Sequence, residues 1–591
     1  MKNDFLTIDK YFEHQAIAHP QKKAVISKDE QISFSELNKK ANQFARLLRN
    51  SGANRNDNIV IVMSRSINYI MTILGILKIG AVFIPLNIND PQSRIKKIVE
   101  DCNANAIILD SNRYDFLHNY ITFDNINLEL FNSENLTDMF SSHDVACILY
   151  TSGSTGRPKG VKLDHKGFAN NLFFSQKEFK MTENDTVLNK AMNNFDASVW
   201  EILTMCIIGT TLCLCENGQE SNVDYLTKLI ETQNITVCFF VSSMLNMFLS
   251  YIEHKNYKKK VTSLRLIFGG GEILSLTILD KFYRLLGKNA STKLYNWYGP
   301  TEATVYCTYF DCSNKFTNTS IPIGNPIENV NVYILDENGQ KCKEGESGEI
   351  FISGCGVGSE YVNNEKLTAT RFLPDPFHVG YRMYKTGDLG KRVFGQLEFH
   401  GRIDNQVKIR GNRMELEEVE NAILNYSNIS QAIVVNTQNA SNDILVAFYI
   451  SDEVINSNEL KRHLSDTLPE YMIPQKYEKV TTFPYNANGK IDRKKVMRSI
   501  INRQDIVPDE ILNPNKVLGI IQKVLNVEPG KVVNTDIALF DLGVDSLSFI
   551  HIIIELEQEF GFEFDTDMLL MENFPKISSF IDYIEKTTIR F

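Results

Sequence analysis

Residues 146–160, ACILYTSGSTGRPKG, decide how the rest of the chain is read. An apolar run of strand type, 146–150, ends abruptly in Thr151, Ser152, Gly153, Ser154, Thr155 and Gly156, followed by Arg157, Pro158, Lys159 and Gly160. The glycines let the backbone curl so that its N–H groups converge. The hydroxyls add donors, and Arg157 and Lys159 bring positive charge, a combination that cradles phosphate. A Walker A loop needs G-x-x-x-x-G-K-[ST] running straight into a helix; Pro158 intervenes here and Gly160 follows the lysine, which excludes it. The alternative is a plain Ser/Gly surface loop, and a buried strand before it with Pro-Lys-Gly closing it weighs against that.

Working outward, 591 residues exceed what one core can organise and imply about three to five units. Hydrophobic residues at 43% and charged residues at 23% exclude a disordered or fibrous chain. A net charge of −10 argues against a nucleic-acid surface and favours metabolite or protein partners. The ten cysteines are scattered, without a CxxC pair or a Cys/His cluster at zinc spacing, and read as reduced core residues of a cytoplasmic protein. The first residues, MKNDFLTIDKYF, carry charges where a signal peptide needs an apolar region. Residues 68–86 approach membrane-spanning length, but Lys78, two glycines and a proline interrupt them, so a buried helix leading into a buried strand is expected and no membrane contact.

Upstream of the loop the pattern is a hairpin at 24–33, an amphipathic helix opening at Ser35, then strand 58–63, helix 67–78, strand 81–85, helix 94–101 and strand 106–109. That alternation predicts an α/β fold with a parallel sheet covered on both faces. It resumes through 186–214 and 223–240 and contains FDASVWE, 195–201. Asp196 there is either a buried acid that needs a cation or an exposed helix N-cap, and the pattern leaves both open. LRLIFGGGEIL, 264–274, is a strand ending in three glycines and an acid; YNWYGPTEAT, 295–304, sets aromatic rings beside a tight turn and the carboxylate of Glu302. Residues 501–513 read as a linker. Beyond it, 517–527, 549–560 and 577–584 carry apolar stripes, enough for a four-helix bundle with one short helix added. Within ALFDLGVDSLSFI, 538–550, Asp545 or Ser546 read alone is a helix N-cap.

Taken in order, these stretches closely resemble the motifs of the adenylate-forming superfamily: acyl-CoA ligases, luciferases and the adenylation domains of non-ribosomal peptide synthetases. ISFSEL (32–37), LKIGAVFIPLN (77–87), YKTGDLG (384–390) and GRIDNQVKIRGNRMELEEVE (401–420) join the resemblance, while GEIFISGCGVGSEYV (348–362) matches in part, with Gly358, Ser359 and Glu360 in place of the usual Ala-Arg-Gly. The last unit resembles a peptidyl carrier protein. The resemblance implies a large adenylate-forming core over 1–403, a small α+β C-terminal subdomain over 404–500, and an all-α four-helix carrier over 514–591.

The resemblance further implies that ATP is held by Thr151, Ser152, Gly153, Ser154, Thr155, Gly156, Lys159, Gly271, Asn296, Tyr298, Gly299, Thr301, Asp388 and Arg402. Tyr298 would pack on adenine, Asn296 reach the base, and Asp388 and Arg402 touch ribose. Glu302 would help hold Mg²⁺, Asp404 serve as a hinge, Lys490 as the catalytic lysine, and Ser546 as the attachment point of 4′-phosphopantetheine. Asp196 would pair with a substrate α-ammonium. Counting from the motifs, the side-chain pocket would contain Ala197, Trp200, Phe239, Ile267, Gly269, Trp297, Val305 and Tyr306. None is charged, which disfavours charged substrates, and Phe239 and Trp297 shrink the space in favour of small or medium side chains.

The implied function is ATP-dependent activation of an α-amino acid as aminoacyl-AMP and its transfer to the carrier thiol, for non-ribosomal peptide or related antibiotic biosynthesis. An acyl-CoA or aryl acid ligase, and an idle amino-acid-binding protein, are the alternatives. A phosphopantetheinyl transferase and downstream condensation or tailoring enzymes acting in trans are the expected partners, since the first motif lies near the start and the carrier pattern near Phe591.

Overall fold

The computed structural model describes residues 5–110, 120–123, 126–153, 156–287, 292–314, 316, 320–409, 411–439, 442–453, 455–484, 491–493, 495–496, 516–525, 536–544, 546–560 and 571–580. Two sheets form the bulk of the large part. One has six strands in the order Tyr120–Thr122, Ala106–Leu109, Asn58–Val62, Val82–Pro85, Val145–Thr151, Lys159–Asp164; its strands are parallel except for the last pair. The other has nine, with Leu266–Gly270, Val237–Val241, Thr186–Asn189 and Thr211–Leu214 parallel at its centre. Runs such as IVIV at 59–62 and VCFFV at 237–241 are apolar throughout because helices cover both faces.

The helix Ile67–Lys78 is buried almost all round, which explains its apolar length, and the Lys78 ammonium is neutralised by Glu13 at 2.6 Å. Among the described residues no helix is long and apolar enough to cross a membrane. The ten cysteines are free, nine of them buried, and there is no cluster of three metal-ligating side chains among the described residues. The first long helix starts one residue earlier than the pattern at Ser35 indicates. It is Phe34–Asn50, capped by the Ser33 hydroxyl, which accepts from Glu36 N–H while the Glu36 side chain reaches back to the Ser33 N–H.

A five-stranded sheet follows, ending in Gln396–Arg402. After Asp404 come a hairpin, Gln406–Ile409 with Asn412–Glu415, and a three-stranded sheet, Ile429–Asn439, Asn442–Ser451 and Lys476–Lys479, packed with the helices Leu416–Leu424 and Ser457–Ser465. This is the small α+β unit expected after the hinge. At the C-terminal end the helices Lys516–Leu525 and Ser546–Phe560 pack together, and Phe549, Ile553, Phe574 and Phe580 join one apolar cluster with Phe248 of the helix Ser242–His254. The carrier region is therefore helical and docked; the remainder of its four-helix expectation lies outside the described residues.

Candidate active site

Strand ends from both large sheets, the start of the helix Asp196–Ile207 and the hairpin of the small unit converge on a cavity of about 280 Å³. Thr151, Ser152, Asp196, Gly299, Thr301 and Lys408 are part of its wall. An adjoining cavity of about 1080 Å³ is lined by Asn296, Tyr298, Asp388, Arg402 and Asp404. Gly271 borders both. Strand ends carry these groups because a parallel sheet leaves its C-terminal edge free for a ligand.

Gly153 has no alternative: a Cβ there would stand 2.0 Å from the Arg157 carbonyl oxygen. Its N–H donates to Glu418 Oε2 at 3.2 Å, and Lys159 Nζ donates to Glu415 Oε1 at 3.2 Å. In this arrangement the donors of the loop thus meet two carboxylates of the small unit. Glu418 is also ion-paired to the buried Arg94 at 2.8 Å. Ser154 and Thr155 lie outside the described residues.

Glu302 is fully buried and doubly held: Tyr361 donates to Oε1 at 2.7 Å and Arg413 Nη1 to Oε2 at 2.5 Å. Burial alone would raise its pKa, but the Arg413 and Lys159 cations beside it lower it to about 2, so it is ionised at any working pH. An ionised carboxylate is a hard oxygen donor of the kind that holds Mg²⁺ together with substrate phosphates, so the residue fits that ion once Arg413 moves away. Gly358, where the sequence departs from the usual motif, donates its N–H to the Glu302 carbonyl, and Ser359 and Glu360 pair with Lys162 of the neighbouring strand, which places Tyr361 on the carboxylate.

In the larger cavity Tyr298 donates to Asp388 Oδ2 at 2.6 Å, Arg402 also binds Asp388, and Asn296 Nδ2 donates to the Pro322 carbonyl at 2.8 Å. Asp404 follows the strand Gln396–Arg402 and is held by Arg402, with Nε to Oδ1 at 2.7 Å. Those hydrogen bonds and the Arg402 charge keep its carboxyl below its ordinary range, against the opposing effect of burial.

Asp196 is the first residue of its helix, after Phe195 as N-cap, and faces the cavity. Its Oδ2 accepts from Thr301 Oγ1 at 2.9 Å and its Oδ1 from the Ala197 N–H at 2.7 Å. Burial raises its pKa, partly offset by those hydrogen bonds. Among the described residues no cation forms an ion pair with it. Phe195, not Asp196, takes the N-cap position, and the Asp196 carboxyl, half-buried at the cavity wall, also feels the charge of Lys408 in that wall.

Two expectations are corrected. Ile267 and Gly269 do not face this cavity: alternate residues of the strand Leu266–Gly270 point to opposite faces, and Ile267 packs into the cluster under the helix Ser242–His254, while Phe268 and Gly270 face Trp297. Trp200 and Tyr306 are buried behind Trp297 and do not reach the cavity wall, whereas Ala197, Phe239, Trp297 and Val305 do. The sequence pattern assigns no role to Lys408, Arg413, Glu415 or Glu418. All four lie in the quoted motif at 401–420, whose charge density is the available signal. Lys490 lies outside the described residues, and Ser546 is the first residue of the helix Ser546–Phe560.

Three family models match: AMP-binding enzyme over 12–362, AMP-binding enzyme C-terminal domain over 418–490 and phosphopantetheine attachment site over 515–584. Zwittermicin A synthase ZmaJ of Bacillus cereus is 38% identical over 82% of this chain and 94% of that protein. A mycosubtilin synthase polypeptide of Bacillus subtilis is 34% identical over 98% of this chain, which spans only 22% of that protein's length. Among solved structures, holo-PA1221, described as an NRPS protein containing adenylation and PCP domains, superposes with a TM-score of 0.79 at 23% identity, over 94% of this chain and 92% of that one, a likeness of fold.

Proposed function

Since the chain belongs to the AMP-binding enzyme family and carries a phosphopantetheine attachment unit, we propose that it activates an α-amino acid with ATP and loads it on its own carrier. The observation that carries this reading is Asp196: a cavity-facing carboxylate with no ion-pair partner among the described residues, next to the phosphate loop at Thr151 and Ser152. Lys408 in the same wall favours the charged carboxylate from beyond ion-pair distance, and a substrate ammonium would supply the direct partner that it does not.

In the first step a substrate carboxylate oxygen attacks the α-phosphorus of ATP. The new O–P bond forms as the bond to the β-phosphate oxygen breaks, and pyrophosphate leaves. The chain contributes positioning and charge: the 151–159 loop grips phosphate, Asp388 and Arg402 meet the ribose, Tyr298 meets the base, and Lys490 stabilises the reacting oxygens. Glu302 would help hold Mg²⁺, which would supply positive charge against the phosphates. No protein nucleophile is needed.

ATP and the present contacts compete for the same groups. Glu415 and Glu418 occupy the loop donors and Arg413 occupies Glu302. Nucleotide binding therefore requires the small unit to turn away, with Asp404 as the hinge, and its return brings Lys408 and Arg413 into the cleft. In that second arrangement Ser546 would hold 4′-phosphopantetheine, whose thiol would supply the acceptor for the acyl group, with AMP and the thiol proton released. The carrier docks on the helix Ser242–His254, whose first residue Ser242 and whose Asn246 border the larger cavity.

Amino-acid-dependent pyrophosphate exchange tests the reading. Exchange with α-amino acids supports it; exchange only with acids lacking an amino group favours an acyl or aryl acid ligase. A phosphopantetheinyl transferase and condensation or tailoring enzymes are the partners this function requires.

A further inference from the structure

The carboxylate of Glu272 ties together two elements that come from different units of the chain. It ends the run GGGE, 269–272, just past the strand Leu266–Gly270. Its Oε2 accepts from the Ser243 N–H at 2.9 Å, and its backbone carbonyl accepts from Ser242 Oγ at 3.3 Å. The helix Ser242–His254 has Val241 as its N-cap and makes no side-chain cap of its own, so a carboxylate from another strand end meets its first turn, where negative charge is favoured. The second oxygen, Oε1, accepts from the Gly411 N–H at 2.7 Å. Gly411 stands immediately before the strand Asn412–Glu415 of the small unit.

The two backbones meet through glycines. Gly411 has φ +77°, and a Cβ on it would collide with Val241 Cγ1. Gly271, at φ +81°, lies opposite: a Cβ there would stand 3.8 Å from Gly411 Cα and 3.4 Å from the same Val241 methyl. Glu272 thus links the hairpin that carries Lys408 and Arg413 to the helix on which the carrier sits, where Phe248 shares an apolar cluster with Phe549 and Ile553. The Ser243 contact lies within the large part and survives a turn of the small unit. The Gly411 contact belongs to the closed arrangement alone, and an interaction made in one arrangement shifts the balance toward it.

Resting on the reading of the chain as an enzyme that activates an amino acid and then loads it, we propose that Glu272 is a positioning residue for the loading step. Through the Gly411 N–H it seats the hairpin of the small unit against the start of the carrier-docking helix.

The test compares the wild type, Glu272→Gln, Gly411→Ala and the double variant as full chains bearing 4′-phosphopantetheine. Two quantities are measured: amino-acid-dependent pyrophosphate exchange, and the single-turnover rate at which labelled amino acid is retained on the carrier. Glutamine keeps the size but offers one acceptor oxygen to two N–H groups, and the methyl of alanine at 411 removes the fit from the other side. Each single variant is expected to slow loading by about tenfold, the scale of one hydrogen bond to a charged group, with exchange within about threefold of wild type. Both changes break the same contact, so the double variant is expected to load within about twofold of the slower single variant. Wild-type loading by folded Glu272→Gln overturns the role of Glu272, as does an equal loss of exchange and loading. Multiplied losses in the double variant overturn its coupling to Gly411. Gly411→Ala leaves the helix cap intact and carries the test should Glu272→Gln fail to fold; wild-type loading by it overturns the proposal. All of these outcomes leave amino-acid activation standing, whereas a wild type that exchanges with no α-amino acid overturns that reading itself.

Discussion

Asp196 shows most directly how one side chain ties sequence to chemistry. FDASVWE permits a helix cap or a buried acid; Phe195 takes the cap, and the Asp196 carboxylate at the cavity wall accepts from Thr301 of a distant turn. Removing the charge while keeping the shape, Asp196→Asn, is expected to lower amino-acid-dependent exchange by about a hundredfold, roughly 3 kcal/mol of transition-state binding, with nucleotide binding unchanged. Equal loss of nucleotide affinity would show that Asp196 serves the fold instead. A second residue sets a pH limit. His165 is fully buried, its Nδ1 accepts from the Ile8 N–H at 3.1 Å, and burial lowers its pKa to about 4. Its folded value lies below its unfolded one, so the unfolded chain binds the extra proton between about pH 6.5 and pH 4, and stability falls as pH drops through that window. Denaturant unfolding at pH 7 and pH 5 should differ by about 2 kcal/mol from this group, and His165→Gln should remove that share of the difference. An unchanged difference would mean that the histidine titrates normally.

The hairpin Gln406–Ile409 with Asn412–Glu415 is the element on which the two-state scheme depends. It carries Lys408, Arg413 and Glu415 into the cleft together, which no single residue of the motif announces. Arg413 meets Glu302 only when the small unit is closed as here, and a buried pair that loses one partner costs about 3–5 kcal/mol in the state that contains it. Arg413→Met should therefore reduce thioester loading of the carrier by about tenfold or more, with pyrophosphate exchange held within about twofold, since an interaction biases only the arrangement where it exists. Parallel loss of both steps would contradict the alternation. Other elements are legible from pattern. The helix at 67–78 shows its bounds to the residue because its apolar run has a Ser66 cap before it and ends at Lys78. The strand Leu266–Gly270 is legible in place but not in phase: a continuous apolar strand buried on both sides does not say which residues face the cavity.

At the scale of the whole molecule, the carrier is docked by an apolar seam between its helix Ser546–Phe560 and the helix Ser242–His254. Ser546→Ala should still exchange pyrophosphate and retain no labelled amino acid after acid precipitation; retention would sink the assignment of the attachment point. The order of units and the hydroxyl- and glycine-rich loop at 151–160 are written in the sequence, because the loop is a local arrangement of glycines, hydroxyls and charges whose neighbours lie only a few residues away. How the rings stack behind the cavity wall at Trp297, and which carboxylates meet the Gly153 N–H and Lys159, was decided by tertiary structure alone. Phe268, Trp297 and Tyr306 come from different strands and turns, as do Gly153 and Glu418. Their contacts arise from strand register and domain closure, which depend on the packing of the whole chain.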